Sequence, residues 1–182
     1  LKETFIMSDN YKYLFSTSSV YNIEKNLKKK MKGFFLMMKA AYAAFDYLKS
    51  NTKGEVIILC GKGNNGGDGY GLGALLIMAG REVKIYKVED PIKSEAKAAL
   101  KLCCKLGVKI KKWSKSLEYS DIYVDALLGA GIKQSPREPY KTIIRHLISK
   151  KKKGKKIISL DVPSGVDGTT GVAYNPSIFA ST

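Results

Sequence analysis

The chain has 182 residues, enough for one domain with a buried core. A hydrophobic share of 45% excludes a disordered chain, and the longest apolar run, Gly71 to Ala79, is far too short to span a bilayer. The formal charge is +16 and almost all lysine, since only Arg81, Arg137 and Arg145 are arginines, and guanidinium is the group favoured for reading bases. A nucleic-acid partner is therefore not expected. The lysines are read as solvated side chains that also draw anions.

Residues 1–20 form a polar arm with scattered aromatics and no clear period, and residues 21–182 read as a single domain. A lysine-rich helix is expected from Ile23 to about Lys32, and Gly33 breaks it. Phe34 to Leu48 is strongly helical, with Met37, Ala40, Ala41, Ala44 and Leu48 recurring at three and four. Glu55 to Cys60 is the first buried strand. A glycine-dense loop, Gly61 to Gly69, follows, and a helix starting at Asp68 or Gly69 runs to Gly80. Glu82 to Val88 is the second strand, and a helix from Pro91 closes at Gly107. Val108 to Trp113 and Ile122 to Leu128 are the third and fourth strands. A loop from Gly129 to Pro139 precedes a helix over Tyr140 to Ser149, and Lys156 to Val162 is the fifth strand.

Strands alternate with helices, and the strands are continuous apolar runs. That pattern predicts an α/β fold, a Rossmann-like three-layer αβα sandwich with a mostly parallel sheet. Right-handed crossovers then place every strand-to-helix loop on one edge, where open parallel sheets bind ligands.

Three polar clusters fall on that edge. The first is Asn64-Asn65-Gly66-Gly67-Asp68, in a loop whose glycines let backbone N–H groups approach a phosphate. Gly61, Gly63 and Gly66 satisfy G-x-G-x-x-G, and Glu89 follows the second strand where a ribose-binding acid sits in dinucleotide folds. Asp68 at a helix start would repel an anion there, so an ordinary dinucleotide fingerprint is disfavoured. As a plain turn, the same loop would use Asp68 as an N-cap. The second cluster is Asp125 with Gly129-Ala130-Gly131. Asp125 interrupts an apolar strand, so it must be paired, protonated, bound to a cation or capping neighbouring backbone. Asn65 and Ser164 could complete an oxygen cage for a hard monovalent cation. The third cluster is Asp161 with Pro163-Ser164-Gly165, where Asp161 is either a turn residue or a general acid–base.

The three cysteines, Cys60, Cys103 and Cys104, allow no even disulfide framework and no zinc spacing, which predicts reduced, partly buried thiols of an intracellular protein. The first twenty residues show no secretory signal. The cytoplasm is the expected compartment, or the mitochondrion if a leader has been removed.

The three blocks Gly61-Lys62-Gly63-Asn64-Asn65-Gly66-Gly67-Asp68-Gly69, Asp125-Ala126-Leu127-Leu128-Gly129-Ala130-Gly131 and Ser159-Leu160-Asp161-Val162-Pro163-Ser164-Gly165 resemble those of the NAD(P)HX epimerases, the YjeF N-terminal domain family. The resemblance runs from about Asn22 to Tyr174. It implies epimerisation of the R and S forms of hydrated NADH and NADPH, with an S-specific dehydratase as functional partner and a homodimer as the assembly. It further implies substrate contacts at Asn64, Asn65, Gly66, Gly67, Asp68, Gly129, Ala130, Gly131, Ile132, Lys133, Gln134, Ser135 and Asp161. Asp161 and Lys133 would be catalytic, and Asn65, Asp125 and Ser164 would hold one potassium ion per subunit. The chain departs from the family pattern at Met38, which replaces an acid, and at Ala41, which replaces a glycine. A second class, a non-catalytic scaffold of the same fold for RNA or protein partners, has no need of intact Asn65, Asp68, Asp125, Asp161 and Ser164. A nicotinamide-dependent oxidoreductase is disfavoured by Asp68.

Overall fold

A computed structural model describes residues 33–181 continuously and, before them, residues 5–7, 11–14, 18–19, 22–23 and 25–26. Within the first twenty residues, β1 (Phe5–Met7) pairs antiparallel with β2 (Tyr11–Leu14), a hairpin that the sequence pattern did not announce. Residues 22–23 and 25–26 are helical, and the rest of the helix expected over 23–32 lies outside the described residues.

From there the chain alternates: α1 (Gly33–Asn51), β3 (Val56–Cys60), α2 (Asn64–Met78), β4 (Val83–Lys87), α3 (Ser94–Lys105), β5 (Lys109–Lys112), β6 (Ile122–Ala126), α4 (Tyr140–Lys152) and β7 (Lys156–Ser159). The five later strands form one sheet, ordered β5-β4-β3-β6-β7, and every pairing in it is parallel. The chain builds outward from β3 to β5 on one side, then crosses back to lay β6 and β7 on the other. The order therefore reverses between β3 and β6, and a crevice opens at that switch point.

Residues of β3 alternate between two cores. Val56, Ile58 and Cys60 face α1, α2 and α3, together with Met37, Ala41, Leu72 and Ile85. Ile57 and Leu59 face the other side, where Ile143, Ile144 and Leu147 of α4 pack with Tyr123 and Ile157. The three layers expected from the sequence are all present. At burial of about 1.5–3 kcal/mol for each large apolar side chain, these two faces supply the main driving force for the fold.

Two expectations need correction. The second helix starts at Asn64 rather than Asp68, because Gly67 N–H already donates to Gly63 O at 3.1 Å. Low glycine propensity argues against a helix there, but close packing overrides it: a Cβ on Gly66 would lie 1.9 Å from Gly61 O. The N-cap is Gly63, with no side-chain cap, and Asp68 lies inside the helix rather than at its N-cap. The other correction concerns β5, which is exposed and carries Lys109, Lys111 and Lys112 rather than a continuous apolar run. It is an edge strand, and its charges block pairing with another sheet.

All three cysteines are free thiols, with Cys60 and Cys103 buried and Cys104 exposed, and burial raises the Cys103 thiol to about 12. Among the described residues no helix is long and apolar enough to cross a membrane.

Candidate active site

A cleft of about 890 Å³ opens at the carboxyl edge of the sheet, over the β3/β6 switch point. Its size lies toward the upper end of small-molecule sites, roughly 300–1,000 Å³. Its walls combine Lys62 to Asn65 and Asp68 after β3, Ile92 and Lys93 after β4, Leu127 to Ile132 after β6, and Ile158 to Asp161 at the end of β7. Ala40, Ala44 and Tyr47 of α1 and Tyr140 of α4 close the sides. The three clusters picked out along the chain thus meet at one place.

The floor begins with the first turn of α2. The N–H groups of Asn64, Asn65 and Gly66 precede the first helical hydrogen bond and have no partner among the described residues, which suits an anion at this helix start. Asn65 is buried, and both polar atoms of its side chain lack a hydrogen-bond partner among the described residues. A buried amide left unpaired costs about 1–3 kcal/mol, so this side chain is placed for something beyond the chain itself.

Asp125 lies beneath the cleft at 0% exposure. Its Oδ1 accepts from Ser164 Oγ–H at 2.6 Å and Leu127 N–H at 3.2 Å, and its Oδ2 accepts from Ser164 N–H and Ser159 Oγ–H, both at 2.8 Å. Burial raises the Asp125 carboxyl above its ordinary value, and the Ser164, Ser159 and Leu127 donors oppose that rise. The capping reading of Asp125 is thus met: it ties β6 to the Ser159–Ser164 segment through Leu127, Ser159 and Ser164. Hard oxygens from Asn65, Asp125 and Ser164 suit a hard monovalent cation such as potassium.

Asp161 is built differently. It is exposed, and it is the one non-glycine among the described residues with positive φ, at 64°. A left-handed backbone costs of order 1–3 kcal/mol, and such strain collects where a side chain must be aimed. Here it turns the carboxylate toward the loop after β6, where Oδ2 accepts from Ala130 N–H at 2.8 Å. Gly129 leaves room for this, since a Cβ there would lie 2.6 Å from the same Oδ2.

The rest of the predicted substrate loop points elsewhere. Gly129, Ala130, Gly131 and Ile132 line the cleft, whereas Lys133, Gln134 and Ser135 lie outside its walls. Lys133 Nζ donates to Thr169 Oγ1 at 3.1 Å and sits 3.7 Å from buried Asp167, and Gln134 accepts from Arg137. Gly66 and Gly67 are also outside the cleft walls; a Cβ on Gly67 would strike Met37 Cε at 2.4 Å, so this glycine seats α2 on α1. Sequence reasoning missed Tyr140, whose hydroxyl accepts from Lys62 N–H at 3.3 Å and donates to Glu89 Oε2 at 2.7 Å. Its only signal was its place at the start of a helix after the Gly129–Pro139 loop.

A doubly wound parallel sheet with a cleft at its switch point defines a Rossmann-like α/β protein. Residues 33–182 match the family described as YjeF-related protein N-terminus, and the chain belongs to that family. It is 35% identical over 149 residues to a Rhodopirellula baltica protein named NAD(P)H-hydrate epimerase, a match covering 78% of this chain and 60% of that one. It is 37% identical over 153 residues to the Escherichia coli protein named bifunctional NAD(P)H-hydrate repair enzyme Nnr, covering 80% of this chain and 28% of that one. The chain thus matches only part of each relative's length. A yeast crystal structure superposes with a TM-score of 0.80 at 23% identity, covering 91% of this chain and 76% of that one, which supports the fold.

Proposed function

We propose that the cleft binds hydrated NADH or NADPH and interconverts the R and S forms at the hydrated carbon. The observation that carries this reading is the pairing within one cleft of the Asn64 and Asn65 N–H groups, unpartnered among the described residues, with the carboxylate of Asp161 on its left-handed turn. The first suits a pyrophosphate and the second a hydroxyl proton. The relatives' names point to the same substrate.

The hydrated carbon carries a hydroxyl and a ring nitrogen, so it can open without oxidation or reduction. Asp161 takes the hydroxyl proton, the C–O bond becomes C=O, the C–N bond breaks, and its electron pair stays on nitrogen, which receives the proton. Rotation and reclosure reverse each change, and nitrogen attacks the opposite face of the carbonyl. The N–H groups of α2 and the 129–132 loop hold the substrate still meanwhile, which is the larger part of such catalysis. Lys133 serves as a second proton carrier when its ammonium turns from Thr169 toward the cleft. Asn65, Asp125 and Ser164 would hold potassium, which would supply positive charge toward an anionic substrate.

The S form then passes to a separate dehydratase activity, which the bifunctional names of several relatives suggest. A homodimer and a single domain over residues 21–182 complete the proposal. To test it, the protein is mixed with purified R form and an S-specific dehydratase, and recovery of the reduced cofactor is followed by its absorbance. Full recovery supports the reading. Recovery that stops at the fraction supplied by spontaneous epimerisation refutes it.

A further inference from the structure

The cleft has a second end that the chemistry at Asp161 does not use. From β7 it runs across β6 and β3 to the loop after β4, three strand spacings or about 14 Å at ~4.8 Å each. If the hydrated ring lies at Asp161 and the pyrophosphate at the start of α2, the adenosine half is carried toward β4.

The β4 end is made of Lys62, Ile92, Lys93 and the rim residue Glu89. Ile92 is 61% exposed and lines the cleft, an apolar platform open to solvent. Its N–H donates to Lys62 O at 3.0 Å, which joins the loops after β3 and β4. Lys62 and Lys93 flank it on the cleft wall, and Lys93 has no acidic partner among the described residues. Glu89, at the end of the second strand of the first βαβ unit, occupies the position that in dinucleotide folds accepts the adenosine ribose 2′-hydroxyl. Here it is already engaged on both oxygens, by Tyr140 Oη–H at 2.7 Å and Lys62 Nζ at 3.1 Å, and it lies outside the cleft wall. The nearby Asp90 is held by Lys87 at 2.5 Å. Glu89 and Asp90 are thus each paired with a lysine, while Lys62 and Lys93 line the cleft.

We infer that this end of the cleft reads the adenosine half and selects the 2′-phosphorylated dinucleotide, with the base on Ile92 and the 2′-phosphate between Lys62 and Lys93. The inference rests on the epimerase reading for the direction in which the dinucleotide lies. Lys62 and Lys93 are specificity residues, and Glu89, ion-paired to Lys62, competes with the 2′-phosphate for it.

Calorimetric titration of the protein with adenosine 2′,5′-bisphosphate and with adenosine 5′-monophosphate tests it, because the two differ only in the 2′-phosphate. The bisphosphate should bind about tenfold more tightly at low salt, and the preference should shrink as salt screens the lysines. Replacing Lys62→Gln and Lys93→Gln together should remove most of the preference and raise the KM for hydrated NADPH about tenfold more than that for hydrated NADH. Glu89→Gln should strengthen bisphosphate binding. Equal affinities, no binding of either nucleotide, or tighter monophosphate binding that Glu89→Gln weakens would each overturn the inference. The wild-type comparison stands even if a variant fails to fold. Epimerase activity with no 2′-phosphate preference would remove this site and leave the function intact, whereas a preference without activity would do the reverse.

Discussion

Asp125 and Asp161 lie near the same sheet edge, yet their surroundings are opposite. Asp125 is fully buried and accepts four hydrogen bonds. Asp161 is exposed, strained in its backbone, and accepts one from Ala130 N–H. A carboxylate tied by fixed donors on both oxygens builds structure, and one held by a single donor on a strained turn keeps more lone pairs for a substrate. The pair divides the labour of the site: Asp125 locks β6 to the Ser159–Ser164 segment, and that lock fixes where Asp161 emerges.

Substitution should separate the two roles. Asp161→Asn keeps the shape and suits the left-handed backbone, since asparagine adopts it readily. Epimerisation measured with the coupled dehydratase should fall by roughly 10²–10⁴-fold, the usual worth of a general acid–base, with thermal stability nearly unchanged. Asp125→Ala should do the converse. It strands the Ser164, Ser159 and Leu127 donors in the interior, at about 1–3 kcal/mol each where relaxation cannot repair them, and urea denaturation should show a loss of about 3–5 kcal/mol. An Asp125→Ala protein of wild-type stability would break the division proposed here.

Potassium sharpens the comparison further. At a hundredfold excess over its Kd, a ligand that binds only the folded state adds about 2.7 kcal/mol, so differential scanning fluorimetry should show a rise in Tm with potassium chloride beyond that with tetramethylammonium chloride. Asn65→Ala should abolish the rise at little cost to the potassium-free protein, because the Asn65 side chain has no partner among the described residues to lose. An unaltered potassium response in that variant would remove Asn65 from the cation site.

The smallest effect concerns a third carboxylate, remote from the cleft. Glu118 binds Lys111 and Lys84, and these hydrogen-bonded cations, Lys111 first, lower its carboxyl from 4.5 to about 2. Because the folded value lies below the unfolded one, the stabilisation is complete above pH 4.5 and disappears as pH falls toward 2. The Tm gap between wild type and Glu118→Gln should therefore be constant near neutrality and close across that acid window. For solvent-exposed pairs of this kind the gap should be a few degrees at most.

Much of this arrangement was legible in the sequence. The alternation of apolar strands and helical patterns gave the parallel sheet, and right-handed crossovers then forced Asn65, Asp125 and Asp161 to one edge. What the pattern concealed was tertiary. Asn64 to Gly67 read as loop because glycine is a poor helix former, whereas Gly66 is helical because only hydrogen fits against Gly61 O. Val108 to Trp113 was grouped with strands read as continuous apolar runs, but the place of β5 at the sheet edge leaves its lysines exposed. Lys133 was grouped with the substrate loop by its neighbours in sequence, and its ammonium turns instead to Thr169 across a long separation that no local pattern encodes. The positive φ of Asp161 was likewise invisible, because an aspartate before Val162-Pro163 carries no mark of it.

The account as a whole turns on which end of the cleft receives the reacting ring. A crystal structure of the protein with a hydrated NADPH analogue settles this directly. The hydroxyl of the hydrated carbon should lie within about 3–3.5 Å of an Asp161 carboxylate oxygen, with the pyrophosphate over the first turn of α2. A ring found beside Lys93, or a dinucleotide bound outside the cleft, would contradict it.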